Sequence, residues 1–208
     1  MKKTQLPFPI AALMGQNRGD NYITVVEKTY HHHDVFLDTD IEEPENYREL
    51  LALLFNAGED DTINLFINSN GGHLDTALAV VEGLKNTNAE VTAVMIGACH
   101  SAASIISMYC HSVAVLDSAY SMIHTASFGS AGSTGNVKAH TEFTVNQVEK
   151  LLNDTYGGFL TKEELVKVKA GVELWFDAEE IRKRMESRIK FLQSKVRKSN
   201  KDKKQEEE

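Results

Sequence analysis

Two short apolar runs, Thr62 to Asn68 (TINLFIN) and Glu90 to Ile96 (EVTAVMI), flank a stretch in which Leu74, Leu78, Val81 and Leu84 recur at helical spacing. The runs are the right length and composition for buried strands. Strand, helix, strand is the parallel crossover unit, since parallel neighbours cannot be joined by a tight turn. The alternation continues with an Ala/Ser-rich helix from about Ser101 to Cys110, a strand SVAVL from Ser112, and a strand AYSMI that leads into His124. An α/β fold with a largely parallel sheet follows, and ligands of such sheets gather beyond the carboxyl ends of the strands. Ahead of the unit, Tyr47, Leu50, Leu51, Leu54 and Phe55 mark an amphipathic helix between Pro44 and Gly58.

After His124 the segment Ser127 to Asn136 (SFGSAGSTGN) reads as a loop or irregular strand. Helices are predicted around Val145 to Leu152, around Leu165 and Val168, and from Asp177 to Leu192. With 208 residues, 42% of them hydrophobic, the chain can bury one substantial core. No apolar run approaches the roughly 20 residues of a membrane-spanning helix, so the protein is expected to be soluble and cytoplasmic. Cys99 and Cys110 are flanked by apolar residues and are expected to be buried and reduced. The net charge of −8 is unevenly spread: Arg182 to Lys204 holds eleven of the 22 basic residues and two acids. The end of the chain is therefore expected to be a charged helix running into a solvated, disordered tail. The expected division is an N-terminal segment 1–34, one domain 35–192 and a tail 193–208.

Several residues could do chemistry. Gly71-Gly72 directly follows the first strand, where bare backbone N–H groups at the start of a helix can hold an oxyanion. Gly97 to Ser104 (GACHSAAS) is a run of small residues between strand and helix, placing Ser101 at a helix N-terminus with room for a substrate backbone. Such a serine is usually a cap. Paired with the N–H groups of Gly72 and Ala102, it is also a candidate nucleophile. His124, at the end of a strand, is the candidate base; His100 competes, but a direct neighbour of Ser101 is expected to point away from it. For the acid that orients the imidazole, the candidates are Glu173, Asp177, Glu179 and Glu180; Glu173 is preferred, since the capping-box pattern Asp177 to Glu180 assigns Asp177 to the last helix. The run His31-His32-His33 could bind metal, yet adjacent histidines of an extended chain alternate sides, so it is read as solvated polarity and no metal is expected.

INSNGG (Ile67–Gly72), IGACHSAAS (Ile96–Ser104), SMIH (Ser121–His124) and ELWFDAEE (Glu173–Glu180), in this order and spacing, resemble the Clp protease proteolytic subunit over about Val35 to Ile181. The resemblance implies a fold shared with crotonases: stacked βαβ units, with a protruding handle at Ser127 to Leu152. It implies a serine endopeptidase with Ser101 as nucleophile, His124 as base, Glu173 where the family has aspartate, and Gly72 and Ala102 as the oxyanion hole. No cofactor is implied. Partners would be unfolded polypeptide substrates, further copies of the chain in seven-membered rings, and a separate AAA+ unfoldase. Phage-encoded relatives, acting in a host cytoplasm, serve in head maturation instead. Asn70 replaces the family's proline in its SPGG turn, Ala126 replaces a proline soon after the histidine, and Glu173 replaces aspartate. A serine–lysine peptidase using Lys138 or Lys150, an inactive scaffold with the same fold, and a crotonase-type acyl-CoA enzyme are the alternatives.

Overall fold

A computed structural model describes residues 29–206, with side-chain surroundings through residue 197. Most of the expected N-terminal segment 1–34 therefore lies outside the described residues. Within them the chain runs β1 (His32–Leu37), a 3-10 turn (Pro44–Tyr47), α1 (Arg48–Asn56), β2 (Thr62–Ser69), α2 (Leu74–Asn86), β3 (Glu90–His100) and α3 (Ala102–Tyr109). There follow β4 (Ser112–Val115), β5 (Tyr120–Ile123), α4 (Thr134–Tyr156), α5 (Lys162–Lys169), β6 (Leu174–Asp177) and α6 (Ala178–Glu206).

The sheet order is β1-β2-β3-β5-β6, with β4 also pairing β3. All these pairs are parallel except β5 with β6, which is antiparallel. This is the expected α/β architecture with a largely parallel sheet. The centre of the sheet is dry: Ile63, Leu65 and Ile67 of β2 and Val91, Ala93 and Met95 of β3 are buried, with Ala77, Val80, Val81 and Leu84 of α2 packed in the same core. Each large side chain so buried contributes about 1.5–3 kcal/mol over its exposed state.

β3 is longer than its apolar run predicts, because its first half pairs with β4 (Thr92↔Ser112 to Met95↔Val115) and its second half with β5 (Ala98↔Tyr120 to His100↔Met122). A register shift opposite Ile67 to Ser69 separates the halves. There the Asn68 side chain occupies the space beside Gly97 and its Oδ1 accepts the Ala98 N–H at 3.0 Å. This bend carries the strand end toward Ser101.

Three features differ from expectation. β1 was not anticipated, since it is an edge strand whose histidines and aspartate give no apolar alternation. β6 is only four residues long and exists through its pairing with β5. The last helix does not stop at Leu192: α6 is helical to Glu206, through the stretch expected to be a disordered tail. Lys, Arg, Glu and Gln all have high helix propensity, which sustains it without an apolar face.

α4 is buried only in its last turns, at Val148, Leu152, Thr155 and Tyr156, and none of residues 134–147 is buried. Among the described residues no helix is long and apolar enough to cross a membrane.

Candidate active site

The site forms where two strand ends and a helix start meet. At the end of β3 the chain turns sharply through Ser101, whose φ of 49° and ψ of −121° make it the one non-glycine residue with positive φ among those described. A conformation of this kind costs about 1–3 kcal/mol and persists where the surroundings enforce it. Here they do. The Ser101 N–H donates to the Met122 carbonyl at 2.8 Å, and the Ser101 carbonyl accepts from Ser104 Oγ at 2.7 Å and from the Ile105 N–H at 3.1 Å. The turn thrusts Oγ out of the sheet edge, where it lies 2.7 Å from His124 Nε2.

The glycine turn comes alongside. Gly71 has φ 91°, and a Cβ there would come within 2.9 Å of the Ala102 nitrogen and 2.8 Å of the Ser101 Cβ. Gly72 has φ 145°, and a Cβ there would collide with the Ile41 carbonyl. Both positions thus exclude a side chain. Ile41 bridges the turn, its N–H donating to the Gly71 carbonyl (2.7 Å) and its carbonyl accepting the His73 N–H (2.8 Å), an arrangement that does not use the Gly72 N–H. The Ala102 N–H is at the first position of α3, where no intrahelical acceptor exists. Gly72 and Ala102 line the same cleft as Ser101 and His124, a cleft of about 680 Å³.

The other candidates separate. His100 is buried against Tyr120 (centroids 4.9 Å apart) and Trp175 (5.1 Å), away from Ser101, and desolvation pushes its pKa down. Its Nε2 has no hydrogen-bond partner among the described residues. Cys99 is fully buried, its thiol pushed up to about 12, so it is no thiolate at neutral pH. Both cysteines are free. Ser104 is buried and bonded to Tyr156 Oη at 2.6 Å. Lys138 is exposed and faces Glu142 at 3.9 Å, and Lys150 lines a different groove between α2 and α4.

Glu173 is brought close without being joined. The β5–β6 register pairs Ile123 with Leu174, so one step further sets His124 opposite Glu173. Glu173 is exposed, however, and among the described residues no hydrogen bond links it to His124. Asp177 does cap α6, its Oδ1 accepting the Glu180 N–H at 2.9 Å. The expected box is only half formed, since the Glu180 carboxylate turns to Arg184 (3.0 and 2.7 Å).

Sequence reasoning passed over Asn68, which holds the bend of β3, and the cleft wall supplied by α4. His140, Thr144 and Val148 all line the cleft. Their four-residue spacing was a readable signal of one helix face.

The family profile of Clp protease matches residues 17–189. The chain belongs to the Clp protease family. Among its relatives, the ATP-dependent Clp protease proteolytic subunits of Chlorokybus atmophyticus and Mesostigma viride are each 31% identical over 87 residues. The aligned segment is 41% of this chain and spans 39% and 38% of those two relatives.

Proposed function

We propose that this Clp-family chain is a serine endopeptidase of the proteolytic-subunit type. The observation that carries the reading is the 2.7 Å contact between His124 Nε2 and the Oγ of a strained Ser101, beside the Gly72 and Ala102 N–H groups, which have no hydrogen-bond partner among the described residues. In this mechanism Ser101 Oγ attacks the scissile carbonyl carbon as its proton passes to His124 Nε2. The carbonyl oxygen takes up the negative charge between the N–H groups of Gly72 and Ala102. The C–N bond then breaks, His124 returns the proton to the leaving amine, and water, deprotonated by His124, cleaves the ester to free Ser101. His124 must accept through Nε2, so its proton sits on Nδ1. In this reading Glu173, at the next cross-strand position, supplies the carboxylate for that N–H.

The substrates of this reading are unfolded or assembly-related polypeptides, cleaved inside a chamber of further copies stacked through α4. An AAA+ unfoldase would be a separate chain. The reaction calls for no cofactor.

A fluorophosphonate probe tests the reading. At neutral pH it should label Ser101 and no other serine, and Ser101→Ala should abolish both labelling and cleavage of an unfolded protein while leaving assembly intact. Labelling at Ser104, or cleavage surviving in Ser101→Ala, would overturn the assignment. An unlabelled, inactive but assembled wild type would favour the scaffold reading.

A further inference from the structure

A second group of ligating side chains converges at the opposite end of the sheet from Ser101. His31 precedes β1 and His33 lies within it, so the two are i and i+2 in an extended chain and share a side. Their rings stand 5.9 Å apart between centroids. His32 turns the other way, its Nδ1 2.7 Å from Thr62 Oγ1 and its Nε2 3.1 Å from Asp34. Alternation along the strand therefore separates His32 from its neighbours and brings His31 and His33 together.

The third member comes from the start of the next strand. The Thr62 N–H donates to the His31 carbonyl at 2.9 Å, which fixes Asp61 beside His31. The Asp61 carboxylate is held on both oxygens: Oδ1 accepts the His31 N–H at 2.7 Å and Oδ2 accepts the Gly58 N–H at 2.9 Å. His31 Nδ1 is 3.2 Å from Asp61 Oδ1, and one ligating atom from each of His31, His33 and Asp61 lies within 4.8 Å of the other two. Ligands about 2.0–2.1 Å from a tetrahedral ion stand roughly 3.3 Å from one another. The His31–Asp61 pair already has that separation, and His33 makes no hydrogen bond among the described residues that would oppose a small rotation toward it.

We propose that His31, His33 and Asp61 form a binding site for a divalent transition-metal ion that favours imidazole, Zn²⁺ above all. Two neutral imidazoles and a carboxylate suit zinc and leave a fourth position for water. The ligands come from β1, an edge strand, and from the residue before β2. The ion would therefore staple the edge of the sheet to its neighbour, remote from the catalytic cleft.

The full chain without an affinity tag should bind one zinc per chain in a calorimetric titration. His33→Ala should weaken binding at least thirtyfold, and His32→Ala less than threefold. Zinc at about a hundred times its Kd should raise the Tm of the unsubstituted protein by about 5 °C or more, and that of His33→Ala much less. Diethyl pyrocarbonate footprinting read by mass spectrometry gives a check that needs no substitution: zinc should protect His31 and His33 and leave His32 reactive. No binding at 100 µM zinc, unchanged affinity in a folded His33→Ala, or protection that falls equally on His32 would each overturn the site.

Discussion

In the proposed catalytic group, the choice of acid turns on the contrast between two neighbouring carboxylates. Asp177 has a structural partner, the Glu180 N–H at 2.9 Å, whereas Glu173 is exposed and stands one register step from His124. A triad acid acts through charge, holding the imidazole tautomer and stabilising the imidazolium that forms as the serine proton leaves. Glu173→Gln should therefore lower kcat/KM about a hundredfold with little change in unfolding. Asp177→Asn keeps an oxygen acceptor for the helix cap, so it should cost less than about 1 kcal/mol and leave turnover intact. Peptidase rates beside thermal unfolding decide between them, and the reverse pattern would move the role to Asp177. The positions of Ser101 and His124 at element ends were legible because each end is marked by local pattern. The placement of Glu173 opposite His124 was harder to read, because β6 exists through a long-range antiparallel pairing that four residues do not announce.

At the scale of elements, α5 and α6 are clamped by one ion cluster. Thr161 caps α5 by accepting the Glu164 N–H (3.1 Å), and Glu164 returns the bond to the Thr161 N–H (2.8 Å), which completes a capping box. The same carboxylate meets the Arg184 guanidinium through two 2.8 Å bonds, and Arg184 lies 4.4 Å over the Phe176 ring. The bonds from Arg184, with help from the Thr161 N–H, hold the Glu164 carboxyl at about 2, against an ordinary value of 4.5. As pH falls below 4.5 the unfolded chain takes up this proton before the folded one. The stabilisation is thus complete above pH 4.5 and is lost as pH falls toward 2. Glu164→Gln should reduce stability by roughly 1–3 kcal/mol at neutral pH and flatten its decline between pH 4.5 and 2. Denaturant unfolding across that range measures both; an unchanged acid limb would mean that other carboxylates govern it.

For the molecule as a whole, the question is how much of α6 the body requires. Arg188 is 3% exposed and threads back into the body, donating to the carbonyls of Gly157 (3.0 Å) and Met108 (3.3 Å). Phe191 packs on Gly157 and Gly158, where an added Cβ would strike its ring or Cβ. Beyond it Leu192 and Val196 are exposed. Truncation after Phe191 should therefore leave the Tm within about 3 °C and the size of the protein in light scattering unchanged, because residues 192–197, the removed ones whose surroundings are described, are all exposed. Dissociation of the truncated protein would instead make the far half of α6 an arm between subunits.

The sequence by itself determined the α/β class, the βαβ core and the position of Ser101 at a helix start, because these follow from periodicity and composition within windows of a few residues. Tertiary structure alone decided what depends on residues far apart in the chain. It added β1 and β6 to the sheet edges, bent β3 through Asn68 against Gly97, and set His124 Nε2 at 2.7 Å from Ser101 Oγ. It also gathered His31, His33 and Asp61 at one spot. Strand pairing and register fix such distances, and they are properties of the closed sheet rather than of any single segment.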